Sequence, residues 1–268
     1  MITRLLVFLL LFSLHGRAAI VDTVDTYSAA MKKNIRAVVI RPTQATAPLP
    51  VLYLLHGYSG NYADWISKVK DLAKGADLYR MMIVCPDGGF GSWYWDSPID
   101  PAYQYETYIT RELIPFIDKK FNTIADKKAR AITGLSMGGH GALFLAMRHQ
   151  QLFGAAGSMS GGVDIRPFPE NWDMAKRLGN YAEQPDRWEK STVINQLHLL
   201  KPNSLAMIID CGTSDFFYEV NEALHRQLLY RNIPHDYITR PGVHDWKYWG
   251  NAVWYQLLFF NRYFEAET

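Results

Sequence analysis

The pentapeptide Gly134-Leu135-Ser136-Met137-Gly138 sets a hydroxyl between two glycines, behind an apolar run and ahead of a helical pattern. A strand-to-helix turn of this kind is sharp enough to strain the serine backbone and expose its oxygen. The flanking glycines let strand and helix close on the serine without side-chain collision. The helix start aims free N–H groups at developing negative charge. The chemistry that follows is attack on a carbonyl carbon.

A serine hydroxyl is a weak nucleophile at neutral pH and needs a base. With this kind of turn the chain order is serine, acid, histidine. His225, His235 and His244 follow far enough along the chain. His225 falls within a helical pattern and is expected to face solvent, and His235 begins a strand just after Pro234. His244 lies in the loop after the last strand, where the base is delivered. Two carboxylates compete as its partner. Asp210 sits inside the apolar run 207–211 and is expected to make a local structural bond. Asp215 lies out on the loop beyond Gly212-Thr213-Ser214, placed to hold the tautomer of His244 and stabilise the imidazolium. The oxyanion needs two N–H donors, expected from the backbones of Met137 and of Tyr58 in His56-Gly57-Tyr58-Ser59-Gly60. His56 and His140 are read as structural hydrogen-bonders; the competing reading makes them ligands of a hydrolytic metal. No usable metal-ligand spacing and no glycine loop preceding a lysine occurs, so neither metal nor cofactor is expected.

These residues need a frame. Residues 21–27 and 35–41 are β-rich with a turn between them, an antiparallel pair. The runs 51–55, 81–85, 129–133, 155–159, 206–211 and 235–239 are apolar without polar alternation, and each is followed within two residues by a Gly or Pro. Such runs suit strands buried on both faces of a parallel sheet. Helical patterns cover 105–121, 138–149, 220–231 and 249–264. The alternation predicts an α/β architecture, a mostly parallel central sheet with helices on both faces. Residues 164–200, rich in Trp, Pro and charge, break the rhythm and read as an insertion over the C-terminal edge of the sheet.

The N-terminus carries Arg4, a ten-residue apolar stretch over 5–14 and Gly16-Arg17-Ala18. That is too short to span a bilayer and matches a signal peptide over 1–18, cleaved after Ala18. Residues 19–268 would then form one catalytic domain, exported as a secreted or periplasmic protein with no stable membrane anchor after cleavage. Cys85 and Cys211 end different central strands and are expected buried and unpaired. At 49% hydrophobic residues the 268-residue chain can bury a core, and its formal charge of +2 lacks the basic face a nucleic-acid partner needs. The sequence sets no oligomeric state.

Four segments together resemble a known family: His56-Gly57-Tyr58-Ser59-Gly60, Gly134-Leu135-Ser136-Met137-Gly138-Gly139, Asp210-Cys211-Gly212-Thr213-Ser214-Asp215 and Gly242-Val243-His244-Asp245-Trp246-Lys247-Tyr248-Trp249. They are similar to the putative esterases of the α/β-hydrolase fold, a group with S-formylglutathione hydrolase (esterase D), tributyrin and feruloyl esterases and the antigen 85 mycolyltransferases. The resemblance runs from about Tyr27 to the C-terminus. It implies Ser136, Asp215 and His244 as triad, with Tyr58 and Met137 as oxyanion donors. The signal peptide departs from the cytosolic S-formylglutathione hydrolases.

Trp93, Tyr94 and Trp95 on the loop after the fourth strand, with Trp246, are expected to contact substrate; Trp172 and Trp188 in the insertion could add to the wall. The expected partner is a small-molecule or polysaccharide-linked ester, short-chain or cinnamoyl-type. Two other readings stand beside hydrolysis. One is acyl transfer to a sugar hydroxyl. The other is a non-catalytic carbohydrate-binding protein on a hydrolase scaffold.

Overall fold

The computed structural model describes residues 19–268. The expected signal peptide over 1–18 lies outside the described residues. Strands β1 Ile20–Ser28 and β2 Lys33–Arg41 form the antiparallel pair, turning through Lys32 at φ 53°. Then come β3 Val51–Leu55, β4 Met82–Pro86, β5 Arg130–Gly134, β6 Ala155–Met159, β7 Ala206–Gly212 and β8 Asp236–Arg240. They join one eight-stranded sheet in the order β1-β2-β4-β3-β5-β6-β7-β8. From β4 to β8 every pairing is parallel.

The apolar runs divide between two cores because successive side chains in a strand point to opposite faces. Val51, Tyr53 and Leu55 of β3 enter one cluster, while Leu52 and Leu54 enter the other. Helices α1 Asp64–Lys68 and α2 Leu72–Leu78 follow β3 and cover the second face. After β4, the short α3 Tyr105–Thr107 runs through a π-helical turn, Tyr108–Leu113, into α4 Ile114–Lys120. Pro115 at the start of α4 brings no backbone donor, so the ladder changes its spacing there. Helix α5 Met137–Arg148 covers the first face.

Two features of this frame differ from the sequence reading, the exposure of the last strand and the start of the closing helix. Edge strand β8 is half exposed rather than buried on both faces, because no strand among the described residues pairs beyond it. Cys85 and Cys211 are buried and unpaired on separate strands, as expected. The segment 164–200 carries α6 Met174–Leu178, α7 Pro185–Ser191 and a 3-10 turn, Val193–Leu199, and packs against the α5 face. Helix α8 Tyr218–Tyr230 follows β7. The closing helix α9 Trp246–Glu267 begins three residues before the expected 249, because the Asp245 side chain caps it by accepting from Tyr248 N–H at 2.8 Å.

Chain order places the site. The chain leaves β3 for β4 on one side, then crosses back to β5 on the other. The helices after β3 and β5 therefore lie on opposite faces, and a crevice opens between the C-terminal ends of these two strands. Ser136 follows β5 and Tyr58 follows β3.

Candidate active site

Ser136 sits at φ 54°, ψ −118°, a left-handed conformation that a side chain adopts only under constraint. The constraint is visible. Ser136 N–H donates to Met159 O at 2.9 Å, and Ser136 O accepts from His140 N–H at 3.0 Å, opening α5. A Cβ on Gly134 would lie 2.6 Å from Gly138 O, and one on Gly138 would lie 2.6 Å from His56 O. Only glycine admits this closure of strand, turn and helix.

His244 Nε2 lies 2.9 Å from Ser136 Oγ, and His244 Nδ1 lies 2.8 Å from Asp215 Oδ2 and 3.0 Å from Oδ1. An ionised carboxylate only accepts, so Nδ1 carries the hydrogen and Nε2 is left to accept from the serine hydroxyl. Phe217 N–H donates to Asp215 Oδ1 at 2.8 Å and fixes the carboxylate. The competing carboxylate is elsewhere employed. Asp210, fully buried, accepts from Tyr248 OH and from Arg240 Nη2 at 2.6 Å. Burial pushes its carboxyl up against the opposing pull of Tyr248 and Arg240.

The peptide joining Gly57 to Tyr58 is held from behind. Its carbonyl, Gly57 O, accepts from His56 Nδ1–H at 2.7 Å and from Gly60 N–H at 3.1 Å. In a trans peptide C=O and N–H point opposite ways, so anchoring the oxygen fixes where the Tyr58 N–H faces. A Cβ on Gly57 would lie 3.4 Å from Ser136 Cβ, so this loop runs against the serine. Among the described residues neither Tyr58 N–H nor Met137 N–H meets an acceptor in the protein.

His56 and His140 are both fully buried and share one arrangement. His56 Nε2 accepts from Gly88 N–H at 2.7 Å. His140 Nδ1 donates to Gly162 O at 2.9 Å, and its Nε2 accepts from Trp95 Nε1–H at 2.9 Å. With every ring nitrogen satisfied, neither has a lone pair for a metal. Burial holds His56 below the usual imidazole range and pushes His140 down to about 4. His225 is not free in solvent: it stacks on Tyr237 and pairs through Nδ1 with His235 Nε2 at 2.8 Å.

Ser136 and His244 open into a cleft of about 280 Å³, walled by Tyr58, Trp172, Phe216, Trp246 and Trp249. Trp246 and Trp172 thus stand on the wall. The Trp249 indole N–H is buried there with no acceptor among the described residues. The expected contribution of Trp93, Tyr94 and Trp95 is corrected: all three are at most 2% exposed and none lines the cleft. Each spends its polar atom inward, Trp93 Nε1–H on Trp172 O, Tyr94 OH on His56 O and Trp95 Nε1–H on His140. Trp188 is likewise buried, donating to Gly179 O at 2.9 Å. Phe216 is a wall residue that the sequence reading misses. Phe216 directly follows Asp215, which is the signal that could have found it. A larger groove of about 920 Å³ between the insertion and the far end of α5 contains none of Ser136, Asp215 and His244.

The chain matches the family described as "Putative esterase" over residues 28–260. It is 26% identical over 253 residues to an acetyl esterase of Caldicellulosiruptor saccharolyticus, covering 86% of this chain and 94% of that protein. It is 28% identical over 273 residues to the diacylglycerol acyltransferase/mycolyltransferase Ag85A of Mycobacterium gordonae, covering 87% and 78%. Among solved structures, a ferulic acid esterase aligns with TM-score 0.79 at 29% identity, covering 92% of this chain and all (100%) of that one. The match extends through the crevice at β3 and β5, the cleft and the last helix alike, and on it the chain belongs to the putative esterase family and is a carboxylic-ester hydrolase.

Proposed function

We propose that this protein is a secreted serine esterase that cleaves short-chain or cinnamoyl-type esters through an acyl-enzyme on Ser136. The observation that carries the reading is the unbroken line Ser136 Oγ, His244 Nε2, His244 Nδ1, Asp215 Oδ2, at 2.9 and 2.8 Å. His244 takes the serine proton as Oγ attacks the ester carbonyl. Tyr58 and Met137 N–H groups receive the oxyanion, where preformed donors contribute most. Asp215 stabilises the imidazolium, which then protonates the departing alcohol. Water attacks the acyl-enzyme by the same route in reverse. The chain works as one catalytic domain over 19–268, with 1–18 removed on export.

The narrow aromatic cleft supports a short or flat acyl group, with Trp172, Phe216 and Trp246 beside it. Acetyl, butyryl and feruloyl esters, each at matched leaving group, separate these choices by kcat/KM. Intact-mass analysis during turnover of a slow ester should show an adduct of acyl mass. Turnover without such an adduct in rapid-quench samples, together with loss of activity on adding a chelator, would replace this mechanism by a metal-assisted one. A second reading, acyl transfer to a sugar hydroxyl, is favoured by the likeness to Ag85A and by the tryptophan surfaces at the cleft. Product analysis with and without a sugar acceptor decides between water and alcohol.

A further inference from the structure

The insertion between β6 and β7 touches the oxyanion loop at one polar contact. Trp172 and Asp173, at φ 49° and 57°, are consecutive left-handed residues without being glycine. Such strain persists only where surroundings hold it. Here Trp93 Nε1–H donates to Trp172 O at 3.2 Å, and Asp173 directly precedes α6. The turn projects the Asp173 carboxylate toward the loop after β3. Its Oδ2 accepts from Tyr58 OH at 3.3 Å, and its Oδ1 pairs with Lys176 Nζ at 3.0 Å. The Tyr58 contact is long for a carboxylate acceptor, as bonds around catalytic groups often are before substrate closes the site.

Tyr58 is gripped along its whole length. Its ring meets Phe90 edge-on at 4.9 Å between centroids. It also lies over Gly91, at φ 107°, where a Cβ would come within 3.0 Å of Tyr58 Cε2. Burial and the Asp173 charge both push the Tyr58 phenol up, so it stays protonated and donates. At the other end, Gly57 O is anchored by His56 and Gly60. A rigid phenol ring joins these anchors, with only two side-chain torsions between backbone and hydroxyl.

Building on the oxyanion role proposed above for the Tyr58 N–H, we propose that Asp173 is a positioning residue. Through the Tyr58 hydroxyl it sets the aim of the Tyr58 N–H at the oxyanion. The insertion thereby supplies part of the catalytic alignment without touching substrate chemistry. Donor alignment matters more to the transition state than to bound ester, so the effect falls on kcat rather than KM.

The test is steady-state hydrolysis of a p-nitrophenyl ester by the full chain, with rates divided by active sites counted by fluorophosphonate uptake. Tyr58→Phe and Asp173→Ala should each lower kcat per site about tenfold with KM within about twofold, less than the ~10²–10³ for losing a donor outright. The double variant should be no slower than either single one, because both remove the same contact. Asp173→Asn keeps an acceptor and should recover most of the rate. Lys176→Ala leaves the Tyr58 contact in place and should match the unmodified protein. Affinity for a trifluoromethyl ketone, whose adduct carries the oxyanion, should fall in parallel with kcat/KM. A misfolded variant lowers the site count and leaves kcat per site unchanged. Unchanged kcat per site in folded Asp173→Ala, or multiplied losses in the double variant, would overturn the positioning role. Failure of the serine reading looks different: the unmodified protein then takes up no fluorophosphonate, and both ideas fall.

Discussion

Two imidazoles in this molecule sit in nearly the same aromatic box. His140 is flanked edge-on by Trp93 and Trp95, each at 5.2 Å, and stacks on Phe144 at 5.7 Å. His244 is flanked by Phe216 at 4.1 Å, Phe217 at 5.5 Å and Trp249 at 4.8 Å. Both donate through Nδ1 and accept through Nε2. The difference lies in the partners. His140 faces a neutral carbonyl and an indole N–H, so protonation finds no counter-charge and the accepted hydrogen leads nowhere. His244 faces a carboxylate and a serine hydroxyl, so a proton can arrive from one side while charge is balanced on the other. Aromatic surroundings and tautomer do not make a base; the pair of partners does.

The comparison breaks first at the serine. Ser136→Ala should lower kcat on the order of 10⁶-fold, and adding His244→Ala should lower it little further, because the two act as a unit. A double variant far slower than the single one would mean that His244 works without Ser136. Replacing the carboxylate comes next. Asp215→Asn gives His244 an amide like the neutral partner of His140 and should lose about 10⁴-fold in kcat with the fold intact. Retained turnover there would remove the counter-charge from the argument.

Smaller effects fall on stability. Asp210→Asn turns one of the two acceptor oxygens into an NH2, so Tyr248 OH or Arg240 Nη2 loses its partner, and should cost about 2–3 kcal/mol in denaturant melts, with kcat per folded molecule unchanged. Loss of turnover at unchanged stability would make Asp210 the working acid instead. The least effect concerns His140 itself. Its folded value, about 4, lies below the ordinary imidazole value of 6.5, so unfolding takes up a proton between them. The stabilisation is present above about pH 6.5 and is lost as pH falls toward 4. Between pH 7 and pH 5 the loss should be about 2 kcal/mol. His140→Gln, whose amide offers a donor nitrogen and an acceptor oxygen but does not titrate, should flatten that part of the profile. An unchanged slope would place the proton uptake elsewhere, His56 being the next buried imidazole.

The frame, and the meeting of Ser136, His244 and Asp215, were legible because local pattern determines them. Apolar runs such as 51–55 state their burial, and the glycines around Ser136 state the turn. The aromatic loop was not legible, because Trp93, Tyr94 and Trp95 turn inward for tertiary reasons. Tyr94 needs the space that Gly141 leaves on α5, where a Cβ would lie 2.4 Å from its ring. Trp93 and Tyr94 reach their places through left-handed backbone at φ 53° and 60°, which residue type does not announce. A third glycine along α5 was the one available hint that a bulky side chain packs there. Trp172 and Phe216 reach the cleft from segments distant in sequence, and only packing shows that they meet at 5.5 Å.

The most direct test of Ser136 as the nucleophile driven by His244 is the site and rate of fluorophosphonate labelling, mapped by peptide mass spectrometry. The account predicts a single adduct on Ser136, absent in Ser136→Ala and formed orders of magnitude more slowly in His244→Ala, while His140→Gln labels at close to the normal rate. An adduct on another residue, or ester hydrolysis that survives in Ser136→Ala, would contradict it.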